Sequence, residues 1–449
     1  MSMGTFRARV VRRWLPLIVV ASLVLAACGG ADTTSTTAAS QETAGTSAAT
    51  TDAVAETTAS TPGTESAAPE TTGGGSDSPE GEPIVFGGAL PLTGWGSDAG
   101  ELNHRGYQLW EKQVNESGGI LGRPVELLIY DDQSDPTTTG RLYERLITQD
   151  NVDVLLAPWS DDMTMPATNV AEQHGKPMVT GGATLTDIWD RGYKYVTGLL
   201  PSSYDYVGVA VRLLEGQVES AAVLNADLTY TTGFGDAGVE NIEDLGMTLT
   251  GREAYADGTQ NFAPIIAAIA DGEPDLLVGG TGGANDAIQI VQASKIAGFS
   301  PDMFYFTIAP VEPEFVEVLG EDAEYVLGTT EWEPSLEGLP GFEEFVTGYE
   351  EMFGEEPVED AATAYGLATV LQEAIESVGE LDDDKINDEL HTMEITTVFG
   401  DYSVDPETGM QTGKAIYVLQ IQDGERHIVW PEDVATAELI FPTPAWSER

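Results

Sequence analysis

Residues 152–184, VDVLLAPWSDDMTMPATNVAEQHGKPMVTGGAT, decide the fold. The apolar run 154–157 is too short for a helix and stops at Pro158, which predicts a buried strand. Trp159 comes next, then Ser160, Asp161 and Asp162, side chains that cap helices well. A helix over about 163–174 is expected, and a second buried strand, 177–179, runs on into Gly181, Gly182, Ala183 and Thr184. Strand, helix, strand in this order predicts a parallel pair joined by a crossover. Open parallel sheets bind ligands at the carboxyl ends of strands, where helix N-termini present free N–H groups. Two such ends, Trp159-Ser160-Asp161 and Gly182-Ala183-Thr184, are therefore expected to form one wall of a small-molecule site.

Working outward, the same rhythm continues on both sides. Upstream come a strand at 84–90, a glycine-rich turn at 91–96 that carries Trp95, a helix over about 100–115, a strand at 125–130 and a helix over about 138–149. Downstream of residue 199, strands are expected at 221–225, 247–256, 276–279 and 303–307, and helices at 235–245, 262–270 and 284–297. Long helices at 341–353, 360–378 and 384–393 follow, and then a hairpin at 415–421 and 426–430. The fold class is α/β: two doubly wound parallel-sheet lobes joined by a multi-crossing hinge, with a cleft between them. Residues 83–202 plus 331–412 are assigned to lobe 1, 203–330 plus 413–442 to lobe 2, and 443–449 to a tail. The late helices are expected to return to lobe 1, and the final hairpin to lobe 2.

Composition narrows the function. The chain has 449 residues, with 19 Lys plus Arg against 75 Asp plus Glu and a formal charge of −56. Such a surface repels phosphates, so nucleic acid is excluded as a partner. A single cysteine rules out an intrachain disulfide and a cysteine zinc site. That cysteine has a context. Arg7, Arg9, Arg12 and Arg13 precede the apolar segment 14–27, which has the form of an export signal and is too short to be a good membrane span. Leu25-Ala26-Ala27-Cys28-Gly29 is similar to a bacterial lipobox, in which Cys28 would be the lipid attachment point; an ordinary signal with an incidental cysteine is the alternative. From residue 28 to 82 the chain is rich in Thr, Ser and Ala and reads as a disordered tether with a span of roughly 40 Å. These features predict an extracytoplasmic, membrane-anchored lipoprotein with no further membrane contact.

The details resemble one family. Residues 84–94, IVFGGALPLTG, then 115–125, NESGGILGRPV, and Tyr130-Asp131-Asp132 are similar to the opening of branched-chain amino acid type (leucine/isoleucine/valine-binding) substrate-binding proteins of ABC transporters. Trp159-Ser160-Asp161, Lys176-Pro177-Met178-Val179, Ala364-Tyr365-Gly366 and Val429-Trp430-Pro431 extend the resemblance, which covers roughly 82–446. It implies a type I periplasmic binding protein fold that closes on its ligand like a trap and docks on a transporter permease. It also implies that the ligand's carboxylate is held by a Ser after the third strand and by the Ala/Thr loop after the fourth. The loop matches Ala183 and Thr184. The Ser position holds Asp161, with Ser160 just before it, and a carboxylate facing a carboxylate is unfavourable. Either Ser160 takes that role or the ligand presents no carboxylate there.

In the second lobe the resemblance implies a Tyr at the start of the first helix, a Tyr after the third strand and a Glu after the fourth. Tyr230 fits the first place and Thr281 is a polar substitute at the second. The stretch around Ala309 holds no Glu at the third. Ser203 joins the expected ligand contacts where the chain enters lobe 2.

Other motifs carry less. Gly233-Phe234-Gly235-Asp236-Ala237-Gly238 matches the dinucleotide string G-x-G-x-x-G, but the strand before it ends too early for the tight turn that motif needs, so a helix N-terminus at the cleft is the better reading. Trp95 and Trp159 sit past strand ends and are expected in the cleft, and Trp332 is expected near the hinge. Trp189 is open between cleft and core. Trp430, Trp446 and Tyr365 are assigned to packing. His104, His174, His391 and His427 are scattered without ligand spacing, and no G-x-S-x-G elbow occurs. No metal, no cofactor and no enzymatic activity are expected. The function read here is capture of a small polar or aromatic solute, such as an amino acid, an amide or a related compound, by a monomer that delivers it to an ABC importer. The alternative is a sensory receptor domain of the same fold.

Overall fold

The computed structural model of the protein describes residues 79–446 and residue 448. The export signal, Cys28 and most of the tether lie outside the described residues. The described residues form one compact unit.

The first sheet is built from β1 (Ile84–Leu90), β2 (Val125–Asp131) and β3 (Val154–Leu155) in the order β2-β1-β3, all parallel, beside the parallel pair β4 (Met178–Thr180) and β5 (Val196–Gly198). A parallel bridge between Trp159 and Gly182 joins the two groups just past the ends of β3 and β4. The first four helices among the described residues, α1 (Ser97–Glu116), α2 (Pro136–Arg145), α3 (Asp161–His174) and the short α4 (Asp187–Asp190), all belong to this part. The start of α2 follows from Asp135, whose side chain accepts from the Thr138 amide 2.7 Å away, with Pro136 supplying a pre-set first turn. The helix expected over 138–149 is not continuous. It widens after Arg145 into a π turn, Leu146–Asp150, and stops at Asn151 with φ 54°.

The second sheet has seven strands. They are β6 (Ser220–Ala226), β7 (Thr248–Tyr255), β8 (Leu276–Gly280), β9 (Met303–Phe306), β10 (Leu327–Thr330), and, after a small hairpin of β11 (Ile395–Thr397) and β12 (Gly400–Tyr402), β13 (Tyr417–Gln422) and β14 (Glu425–Trp430). Their order is β14-β13-β10-β9-β8-β6-β7, parallel except for the terminal hairpin β13–β14. Around it lie α5 (Ser203–Leu213), α6 (Thr229–Asp244), α7 (Ala263–Ala270), α8 (Ala284–Ala297) and α9 (Pro313–Leu319). The last helices, α10 (Phe342–Phe353), α11 (Glu359–Val378) and α12 (Asp383–Leu390), share one core with the first sheet. Here α1 lies close against α11, and a Cβ on Gly106 would meet the Ala361 carbonyl oxygen at 2.3 Å, so only glycine fits. Separate cores on the two faces of the second sheet complete a two-lobed α/β fold.

Two readings from the sequence change. The string 233–238 lies inside α6, which begins at Thr229, and not at a helix N-terminus. Gly235 is there for packing: a Cβ would sit 2.3 Å from the Asn225 side-chain oxygen. Helix α5 was not expected, because SYDYVGVAVRL is rich in β-branched and aromatic residues. Tertiary packing decides for helix, with six of its residues buried and the Ser202 side chain capping the first turn. No helix among the described residues is long and apolar enough to cross a membrane.

Candidate functional site

The carboxyl ends of both sheets open on one cavity of about 640 Å³. Of the residues expected at the site, Trp95, Trp159, Ser160, Asp161, Gly182, Thr184 and Tyr230 line it. Ala183, Ser203, Thr281 and Ala309 are buried just outside the lining. Ser203 serves the backbone, its amide donating to the Thr184 carbonyl at 2.7 Å. Next to Thr281 and Ala309, Gly282 and Ile308 reach the cavity instead. Trp189 packs away from the cavity with Ala183, Ile188 and Val196. Tyr365 also points elsewhere, donating to Gln113 Oε1 at 2.6 Å.

The first wall is built as the 152–184 stretch dictates. The bridge between Trp159 and Gly182 holds the two strand ends together, and a Cβ on Gly182 would crowd Trp159 Cδ1 at 2.9 Å. Trp159 makes a tilted pair with Trp95, ring centroids 5.7 Å apart, and Trp95 is 58% exposed at the mouth. Ser160 adopts φ 75° and ψ 152°, a region that side-chain-bearing residues avoid and that is held only where surroundings enforce it. Its hydroxyl is buried and has no partner.

Asp161 resolves the substitution seen in the sequence. Its carboxylate is buried and turned into the protein, where Oδ1 accepts from the Thr184 amide at 3.0 Å and the Leu185 amide at 2.9 Å. The backbone donors of the loop after β4 are thus occupied by a side chain of the protein itself. Burial pushes this carboxyl up to about 7, with the two amides pulling the other way.

A second face of the cavity is acidic. Glu331 and Glu333 flank Trp332 just after β10, and Glu359 and Asp360 open α11, while Glu312 reaches in after β9. Sequence reading missed all five. Their signals were the alternation Glu331-Trp332-Glu333 at a strand end and two acids in the first turn of a helix that returns to lobe 1. Glu312 supplies an acid near the place after β9 where the sequence shows no Glu, set farther along the chain past a turn of 3-10 helix. Asp360 accepts from the Trp159 indole at 2.9 Å and from Asn103 at 3.1 Å, and burial pushes it up to about 7. Glu333 is also pushed up to about 7 by burial, against the pull of Arg426. Its Oε2 lies 3.3 Å from Arg426 and its Oε1 has no partner. Glu331 is raised well above the carboxylate range by burial and then by Glu359 beside it. Lys414, lowered by burial to about 8, sits behind them and donates to the Glu331 carbonyl at 2.6 Å.

Among the described residues lining the cavity Arg426 is the basic one, and it is committed to Glu333 and to the Val311 carbonyl. Trp332 is buried between the two acids and donates to the Val398 carbonyl at 3.1 Å. From the second lobe, Tyr230 donates to the Gly282 carbonyl at 3.0 Å, and Phe234 stacks on Tyr206. No group of metal-ligating side chains occurs among the described residues. The cavity is therefore an aromatic and acidic chamber suited to holding a molecule.

A family model described as periplasmic binding protein matches residues 83–426. The chain belongs to the periplasmic binding protein family. It is 24% identical over 388 residues to Leu/Ile/Val-binding protein homolog 7 of Brucella abortus (strain 2308), covering 81% of this chain and 96% of that protein. Its fold is similar to that of a leucine binding protein from Thermotoga maritima MSB8, with TM-score 0.68, 24% identity and coverage of 77% of this chain and 97% of that one. It is also similar to an ABC transporter solute binding protein from Rhodopseudomonas palustris BisB5 in complex with 3,4-dihydroxy benzoic acid, with TM-score 0.66, 19% identity and coverage of 82% and 99%. Membership makes this chain a solute-binding protein of the extracytoplasmic type and not an enzyme.

Proposed function

We propose that the chain is a lipid-anchored receptor that captures a small molecule in the cavity between its lobes and delivers it to an ABC importer. The observation that carries this reading is a single cavity lined from both sheets, by Trp159 and Thr184 on one side and by Tyr230 and Ile308 on the other. A ligand favours the closed arrangement only through contacts to both lobes, and this cavity supplies them. The Thr229 hydroxyl donates to Asp162 Oδ1 at 2.6 Å, so the first turns of α6 and α3 already meet across the mouth. Lipidation at Cys28 would keep the receptor on the membrane with the tether spanning to the permease.

The test is uptake. The solute that co-purifies with the full chain is identified by mass spectrometry, and its ATP-dependent uptake is measured in cells with and without the chain. Delivery predicts that uptake is lost on deletion, returns with the wild type, and returns poorly with Cys28→Ser, which should be released from the membrane. Unchanged uptake on deletion, with loss of a transcriptional response to the solute, would show a sensor instead.

A further inference from the structure

We propose that the cavity selects an organic cation, an ammonium or quaternary ammonium group on a body that stacks against indole, and rejects ligands whose polar end is a free carboxylate. This rests on the receptor reading and narrows it to a substrate class. Three observations converge. First, the site already contains a carboxylate of its own: Asp161 takes the Thr184 and Leu185 amides, the donors that the strand end would otherwise offer to an anion. A second carboxylate brought there would find occupied donors and a buried acid beside it.

Second, the acidic end holds more carboxylates than cations, and Lys414 behind it donates to the Glu331 and Phe399 backbone carbonyls. Glu331, Glu333, Glu359 and Asp360 crowd the same end, and Arg426 is held by Glu333 and a backbone carbonyl. Glu333 lines the cavity and is 7% exposed, and its Oε1 is buried without a partner. A buried carboxylate oxygen left in that state is costly unless a donor arrives, and a ligand N–H or a desolvated cation is such a donor. Third, aromatic faces complete the chamber. Trp95 and Trp159 form a tilted pair at the mouth, and indole is the strongest of the natural cation-binding rings. An acidic patch alone would attract inorganic cations as well, but the indole surfaces favour a cation with an apolar body.

The experiment uses two probes of matched shape and opposite charge. Full-length protein is titrated calorimetrically with 2-phenylethylamine and with 3-phenylpropionate, and then with benzyltrimethylammonium and leucine. The expected result is that both cations bind at least a hundredfold tighter than 3-phenylpropionate and leucine. Glu333→Gln should lower the affinity for 2-phenylethylamine about tenfold, and Trp95→Ala, at an exposed position that cannot unfold the core, about fivefold. Tighter binding of 3-phenylpropionate or leucine, or no binding of either cation, overturns the inference. Small-angle scattering separates that failure from failure of the receptor reading. Compaction with a carboxylate ligand or with the co-purified solute leaves the receptor reading standing, whereas no compaction with any of them sinks both.

Discussion

Asp161 and Glu333 are both buried carboxylates on the same cavity, yet their surroundings give them opposite roles. Asp161 directs one oxygen at two backbone amides and so ties the end of β3 to the loop after β4. Glu333 shares one oxygen with Arg426 and leaves the other without a partner. A buried acid with its bonds made inside the protein is part of the framework, and one with an open lone pair is a handle for something that comes from outside. Position on the cleft is thus a poor guide to a residue's role, and the hydrogen-bond inventory is a better one.

The strongest way to break the contrast is to remove the frame of the open acid. Trp332, 1% exposed, packs on Phe342 and Phe345 with ring centroids 5.8 and 5.9 Å away and fixes the directions of Glu331 and Glu333 on either side. Trp332→Ala should cost about 3–5 kcal/mol in denaturant unfolding. A loss under about 1 kcal/mol would show that the acidic wall does not depend on this anchor.

Next in size is the satisfied acid itself. Asp161→Ala frees a buried amide at Thr184 and a half-buried one at Leu185 and should cost roughly 2–3 kcal/mol, the low end of about 1–3 for each orphaned donor. The replacement should also open the loop after β4 to an external carboxylate, so leucine affinity should rise as stability falls. If stability falls and leucine still does not bind, the first wall is closed to carboxylates for some reason other than Asp161.

What the sequence made legible follows the same division. The strand-helix-strand unit of 152–184, the two sheets and the late return of α10–α12 to the first core rest on periodicity and turn residues, which are local signals. The wall at Trp159, Ser160 and Thr184 was legible because strand ends in parallel sheets converge. Glu331, Glu333 and Asp360 were not, since crossings of the hinge bring distant segments together and nothing local marks them. The inward turn of Asp161 was equally hidden, because residue type says where a carboxylate stands and not which amides it reaches. Helix α5 was lost to its β-branched composition, which tertiary packing overrides.

Burial of acids also predicts a pH dependence. Asp161, Glu333 and Asp360 are pushed up to about 7 and Asp132 to about 6, all chiefly by desolvation, against about 4 in an unfolded chain. Between those values the folded chain binds more protons than the unfolded one, so stability falls as pH rises from about 4 to about 7 and levels off above. Melting temperature should therefore be several degrees higher near pH 5 than near pH 8. Repulsion within a chain of net charge −56 acts in the same direction. Salt separates the two, because about 1 M NaCl screens exposed charges and hardly touches buried ones. A difference that vanishes in high salt would assign the effect to the surface and count against the buried acids.

The smallest expected change is the most discriminating. Glu333→Gln keeps the shape, retains an oxygen for Arg426 and removes a buried charge that the fold does not fully satisfy. Loss of the ion pair and relief of desolvation oppose each other, so stability should move by less than about 1 kcal/mol in either direction. If Glu333 were framework like Asp161, the substitution would cost about 2 kcal/mol or more. Denaturant midpoints for Glu333→Gln and Asp161→Ala, measured at one pH, place the two acids on one scale. Equal losses would erase the distinction between them. A near-zero change at Glu333 beside a clear loss at Asp161 would mean that the fold holds its second acid ready for a partner that the protein itself does not supply.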